Sequence, residues 1–253
     1  AAALERLGAH AADAVPALGR CLEDANVGVR TAACMALGKM KEHATPCVRA
    51  LVGLLQDSNE EVRRAVATTL GTLGSLEVHG KEGAALMRNL QVEAVPELVR
   101  SLRDGSEEVR KAVAVAIGQL HVQTASAIPQ LVKCMKDSNE DVRTAVAEAL
   151  GRFGPVASSA LPSLTQALSD SHSSVRLAAA TAIGEVAMNS QCTGRLAAEV
   201  SAALASLTER LKDPNLSVKR ASALSLDQIR HRTKQAEHYA QARPSHESTI
   251  EAL

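Results

Sequence analysis

The residues of this chain that could do chemistry fall into three sets. The first is a repeated string, Asp-x-x-x-x-Val-Arg. It occurs at Asp24–Arg30, Asp57–Arg63, Asp104–Arg110, Asp137–Arg143 and Asp170–Arg176, and a sixth copy, Asp213–Lys219, ends in Lys. A row of evenly spaced arginines could bind anions. Alternatively the set serves the fold, in which case each Arg held between helices needs a partner, because an unpaired buried charge is costly. The second set is His43 and Cys47, whose i, i+4 spacing would place both on one helix face. Zinc takes four ligands, and two more are lacking, so no metal is expected there. The third set is the cysteines, Cys21, Cys34, Cys47, Cys134 and Cys192. Their odd number and the lack of any Cys-x-x-Cys argue against a disulfide framework or zinc knuckle. They read as small buried hydrophobes in a reducing, intracellular compartment, the cytoplasm first.

No catalytic motif accompanies these sets. The chain has no Gly-x-Ser-x-Gly, no phosphate-binding glycine loop and no His-Glu-x-x-His. We expect no catalytic residue, cofactor or metal, and hence no enzyme. The net charge is +0 at pH 7, so no global field draws in nucleic acid or acidic membrane. Aromatics are 1%, namely Phe153 and Tyr239 with no Trp. Bases therefore have almost nothing to stack on, and nucleic acid is disfavoured as a partner. No apolar run approaches the ~18–20 residues of a membrane span, and no charged-then-apolar leader is found. The sequence starts at Ala1 without Met, as expected of a processed chain or a fragment.

The elements that position these residues follow from the repeat. Successive motif aspartates are 33, 47, 33, 33 and 43 residues apart, so the period is 33 with two insertions. A glycine follows each Arg by eight residues: Gly38, Gly71, Gly118, Gly151 and Gly184, with Asp227 in the sixth copy. Pro16, Pro96, Pro129 and Pro162 each precede their Asp by eight residues, while Pro46 lies a turn earlier. Each copy is expected to be two helices. The first is expected to start at the proline, which suits the first helical position. It buries pairs at i, i+4 spacing, from Leu18/Leu22 in the first copy to Leu207/Leu211 in the sixth. A polar turn follows, with Asn26, Asn59, Ser106, Asn139 and Asn215 as N-caps and His172 as a poorer one. The second helix carries a wide apolar stripe, such as Val142, Val146, Leu150 and Phe153 beside Ala145 and Ala149. One such pair cannot bury both faces, but stacked pairs can.

The pattern Pro-x-Leu … Asp-x-x-x-x-Val-Arg-x-Ala-x-x-Ala-Leu-Gly resembles HEAT repeats. The short period is most similar to the subset called phycobilisome-lyase-type HEAT-like repeats. The resemblance implies an all-α fold, a right-handed α-solenoid of about six helix pairs, with second helices lining a concave side. It also implies that turn Asp and helix Arg form a hydrogen-bond ladder between adjacent repeats. Here that maps onto Asp24, Asp57, Asp104, Asp137, Asp170 and Asp213, with Arg30, Arg63, Arg110, Arg143, Arg176 and Lys219. HEAT-type deoxyhypusine hydroxylases use several His-Glu dipeptides as iron ligands, and this chain has one, His246-Glu247, so that activity is not expected. The lyase-type resemblance raises a rival role, a lyase or chaperone that attaches a tetrapyrrole to a protein. Residues projecting to the concave side are expected to be Arg64, Thr68, Lys111, Val115, Thr144, Glu148 and Arg220. Their mixed character suits one or more protein partners, and the function expected is a non-catalytic interaction scaffold or adaptor, a subunit or fragment of a larger assembly.

The solenoid is expected over residues 1–230. Ala1–Gly8 matches the end of a second helix, so the first repeat is expected to be truncated. The insertions fall near 75–93 and 189–198. Gly80 and Gly83 suggest a loop in the first, before a short helix at Ala84–Leu90. The second is expected to lengthen the next helix. Residues 231–253 are expected to be a polar helical extension to about Arg243 and then a flexible tail. Lys212, Lys219, Arg220, Arg230, Arg232 and Lys234 make this end locally basic, which is either a solvated face or a site for an acidic partner.

Overall fold

A computed structural model describes residues 10–76, 80–120, 125–187 and 195–242. The proposed half-repeat at Ala1–Gly8, Cys192 and the tail after Ala242 lie outside the described residues. The described chain is helical, with no strand. It divides into two compact units, residues 1–153 and 154–253.

The first unit holds four helix pairs. They are α1 (His10–Cys21) with α2 (Val27–Gly38), α3 (Val48–Gly53) with α4 (Glu60–Gly74), α6 (Val95–Ser101) with α7 (Glu107–Leu120), and α8 (Ile128–Cys134) with α9 (Glu140–Arg152). An inserted helix, α5 (Gly80–Asn89), stands between the second and third pairs. The second unit holds α10 (Leu161–Ala167) with α11 (Ser173–Val186), and α12 (Arg195–Arg210) with α13 (Leu216–Ala242).

Four of the second helices start where an asparagine side chain takes over an orphan amide. Asn26, Asn59 and Asn139 cap α2, α4 and α9, each accepting a backbone N–H at 2.8 or 2.9 Å. Asn215 accepts from the Ser217 N–H at 2.9 Å, whereas His172 caps α11 without a side-chain bond. From these starts the apolar stripe runs inward. Val62, Val66, Leu70 and Leu73 are fully buried, as are Val142, Val146 and Leu150. The second helices pack on one another in sequence order, α2 on α4, α4 on α7 and α7 on α9, and α11 on α13 in the other unit.

The small residues set how close these helices come. A Cβ placed on Gly118 would lie 2.9 Å from the Cα of Ala149, and one on Gly71 would lie 2.8 Å from the Cα of Ala116. Neither backbone can retreat, so packing requires glycine at these two positions. Gly154 has φ +57°, a left-handed conformation just past α9 that suits glycine.

Three expectations need correction. The first two of the first helices do not begin at their prolines, whereas Pro96, Pro129 and Pro162 fall in the first turn as expected. α6, α8 and α10 begin one residue earlier, Pro16 lies inside α1, and Pro46 sits in a 3₁₀ segment, Lys41–Cys47. A 3₁₀ or π turn already winds the chain before the second, third, fourth and fifth first helices, so the proline joins a helix in progress. Gly80 and Gly83 are not a loop. Gly80 opens α5, exposed and at φ +76°, and Gly83 lies within it, buried with Leu86, where packing against the Lys41–Cys47 segment overrides the glycine penalty. Leu211 is 41% exposed, not buried beside Leu207, since it lies just past the end of α12. In the second insertion, residues 188–194 lie outside the described residues. α12 has 16 residues and α13 has 27, so α13 runs without a break through residue 230.

Candidate binding surface

The Asp-x-x-x-x-Val-Arg sets place a carboxylate in the turn before each second helix and a guanidinium on that helix's first turn. Within a copy, the Arg Nη1 donates back to carbonyls of its own turn. Arg63 reaches the Asp57 O at 2.8 Å, and Arg110 reaches the Asp104 O at 2.9 Å. In Arg30, Arg63, Arg110 and Arg176 the rest of the guanidinium reaches forward to the next copy's Asp. Arg63 donates Nε to Asp104 Oδ2 at 2.7 Å and Nη2 to Oδ1 at 2.9 Å. Arg110 makes the same fork on Asp137, both bonds at 2.8 Å, and Arg176 makes it on Asp213 at 2.7 and 2.9 Å. At the first rung Arg30 Nε lies 2.9 Å from Asp57 Oδ2 at an angle that makes no hydrogen bond, so only Nη2 to Oδ1, at 3.0 Å, holds it.

Each of these aspartates also caps its own turn. Asp104 Oδ1 accepts from the Ser106 N–H at 2.9 Å, and Asp137 Oδ1 from the Asn139 N–H at 3.0 Å. Burial alone would raise the Asp57, Asp104 and Asp137 carboxyls. The arginine hydrogen bonds, the turn amide and the nearby guanidinium charges together outweigh it and hold all three below the ordinary range. For Asp213 the Arg176 hydrogen bond is the largest cause, and that carboxyl too is held low. Arg143 donates to the Asp137 O at 2.8 Å and the Ser138 O at 3.1 Å, and Asp170 Oδ1 accepts from the His172 N–H at 2.9 Å. Asp24 is exposed and Lys219 half-buried, and neither has an ion-pair partner among the described residues.

The second-helix row lies on another face. Arg64, Thr68 and Glu148 are exposed, while Lys111, Val115 and Thr144 are half-buried. Lys111 is not a free cation: its Nζ lies 2.7 Å from Asp141 Oδ2 on the next second helix. The signal for that pair was in the register, a Lys after one motif Arg and an Asp two residues before the next. Thr68 and Thr144 each turn their hydroxyls back to a carbonyl four residues earlier, at 3.0 and 2.8 Å. In the second unit Arg220 is exposed, flanked a turn away on each side by Leu216 and Leu224, which are also exposed.

The described cysteines are all free thiols. Burial pushes Cys34 up to about 11 and also raises Cys47 and Cys134. Since the thiolate is the nucleophile, iodoacetamide at pH 7.5 should leave these three unmodified in the folded chain and label them after denaturation, as read by peptide mass. Rapid labelling of native Cys34 would contradict its placement. Among the described residues no cluster of His, Cys, Asp or Glu is set to hold a metal ion. No helix among them is long and apolar enough to cross a membrane.

Helix pairs stacked through a repeated glycine contact and an Asp–Arg rung define an all-α solenoid repeat protein. Solved structures support that fold. An engineered protein from a structural genomics consortium matches with a TM-score of 0.68 at 20% identity, over 86% of this chain and 96% of its own. A designed armadillo repeat protein in complex with a (KR)4 peptide matches at 0.68 and 20%, over 85% and 99%. Computationally designed armadillo repeat proteins for modular peptide recognition match at 0.64 and 21%, over 85% and 99%. No curated protein matches the chain. The model of HEAT repeats matches residues 54–151, 95–184 and 161–238, and the chain belongs to the HEAT-repeat family.

Proposed function

We propose that the chain is a non-catalytic protein-binding scaffold. The observation that carries this reading is the second-helix row. In the first unit Arg64, Thr68, Lys111, Val115, Thr144 and Glu148 recur at fixed register, wholly or partly open to solvent, on helices whose opposite faces form the core. A repeat array offers such residues along a continuous surface, where many weak contacts sum over a large interface. The armadillo neighbours, two of whose descriptions name peptides, lend the reading support by fold alone. In the second unit Arg220 is the matching contact. The Asp–Arg rungs are structural in this reading, because their charges are already paired within the fold. The buried thiols suit a reducing compartment.

The test is Arg64→Ala with Lys111→Ala. Loss of the exposed Lys111–Asp141 pair should cost no more than about 1 kcal/mol, so the melting curve stays close to the parent's. Recovery of partners from the native source, read by mass spectrometry, should fall. Lys81→Ala with Glu82→Ala on α5 is the matched control. If the control abolishes recovery while the row variant binds normally, the inserted helix is the contact surface and the row is not. Bilin absorbance carried by an acceptor protein after mixing with chromophore would replace the scaffold reading with tetrapyrrole attachment.

A further inference from the structure

A cleft of about 370 Å³ lies between the first helices of the third and fourth pairs, on the side where the turns gather. Leu102 and Cys134, both nearly buried, line it with apolar surface. Around them stand three exposed cations, Arg103, Lys133 and Lys136. The other charges on the cleft are already cancelled. Asp137 is forked by Arg110, and Asp104 by Arg63. Arg103, Lys133 and Lys136 have no carboxylate within 4.0 Å among the described residues, unlike Arg100, which pairs with Glu97 at 3.0 Å. Arg103 Nη2 donates to Gln130 Oε1 at 3.3 Å, which aims its guanidinium at the cleft.

The fold does not ask for these cations. Arg103 and Lys136 precede the motif Asp by one residue, where other copies hold Glu23, Gln56, Ser169 and Lys212. Lys133 precedes it by four, where others hold Arg20, Gly53, Arg100, Gln166 and Glu209. So the same register positions accept acidic, neutral, basic or no side chain, and this junction gathers around one cavity three cations with no carboxylate beside them. In a chain of net charge +0 that is a local feature.

We propose that this cleft docks an acidic segment of a protein partner, with carboxylates on Arg103, Lys133 and Lys136 and an aliphatic side chain over Leu102 and Cys134. This rests on the scaffold reading and names the partner's chemistry. A peptide fits better than nucleic acid. The charge is confined to one cleft with an apolar floor, and the cleft has no aromatic ring for a base to stack on.

The probe is a short fluorescein-labelled peptide of alternating Glu and Leu, read by anisotropy on the full chain. The parent should bind it, and binding should weaken as ionic strength rises from about 0.05 to 0.5 M. Lys133→Glu with Lys136→Glu should weaken it by about tenfold or more, at unchanged helical content and melting temperature. Lys133→Gln with Lys136→Gln should fall between, and serves if the charge reversal fails to fold. Arg64→Ala with Lys111→Ala should bind the peptide as the parent does. No binding to the parent, or equal binding by the Lys133/Lys136 variants, overturns the cleft assignment. So does a single-stranded oligonucleotide of the same charge that binds the cleft more tightly. None of those results touches the scaffold reading, which stands or falls on partner recovery by the row variant.

Discussion

Asp213→Ala should destabilise the second unit by about 3–5 kcal/mol, the usual consequence of removing one partner of a buried ion pair. The Asp213 side chain is 0% exposed and that of Arg176 10%. The carboxylate takes both forward bonds of Arg176 and also accepts from the Asn215 N–H at 2.9 Å. Without it the guanidinium keeps only its bonds to the Asp170 and Ser171 carbonyls, and its charge stays buried. The melting transition should fall by on the order of 10 °C. Asp213→Asn keeps the shape and an acceptor but not the charge, and should lie between. A melting curve equal to the parent's would mean the rung contributes nothing.

The same rung gives that variant a signature in acid. The Asp213 carboxyl is held below its ordinary value in the folded chain. Its contribution is therefore fully present above the ordinary carboxylate range, about pH 4, and is lost as pH falls through the lower folded value. Asp57, Asp104 and Asp137 behave alike. The parent should lose stability steeply on acidification, and Asp213→Ala should lose less, because one of the four linked carboxylates is gone.

Leu150→Ala should cost about 2–5 kcal/mol. Leu150 is fully buried on α9, between Val146 and Phe153 on the same stripe. The loss combines the removed apolar surface with the cavity left behind, and the cavity will not collapse easily. Ala149 beside it already touches Gly118 of α7, so the two backbones have no room to close further. Urea unfolding followed by circular dichroism measures the effect. A midpoint within error of the parent's would remove Leu150 from the core.

The helix pairs were legible in the sequence because three unrelated requirements repeat in one register. The turn needs Asp and Asn, the stripe needs Val and Leu, and the close approach needs Gly. Each is a local signal with one physical reading. The first helices were harder. Their prolines suggested starts, but 3₁₀ and π turns also tolerate proline's fixed φ, and Lys41–Cys47 is wound that way with Pro46 inside. Gly80 and Gly83 read as a loop by propensity; Gly80 keeps a left-handed turn conformation at the helix start, and the neighbour Gly83 packs against makes it helical. The second-helix row was legible as positions but not as contacts, since Lys111 finds Asp141 30 residues away. The cation cleft was hidden for a related reason. Its charges come from copies 33 residues apart, and summing over the chain cancels them.

The rungs also bear on how the chain can fold and grow. Arg30 to Asp57 and Arg110 to Asp137 each close 27 residues of chain, Arg176 to Asp213 closes 37, and Arg63 to Asp104 closes 41. Loop-closure entropy rises only with the logarithm of length, so carrying α5 inside the long rung costs about 0.4 kcal/mol more than a 27-residue closure. Every contact of this kind is made between near neighbours in the chain, a low contact order for 253 residues, so folding within a unit can start at any rung and spread to the next. A segment inserted between rungs is thus almost neutral. A single residue deleted within one would turn Arg, Gly and the apolar stripe off their partners together.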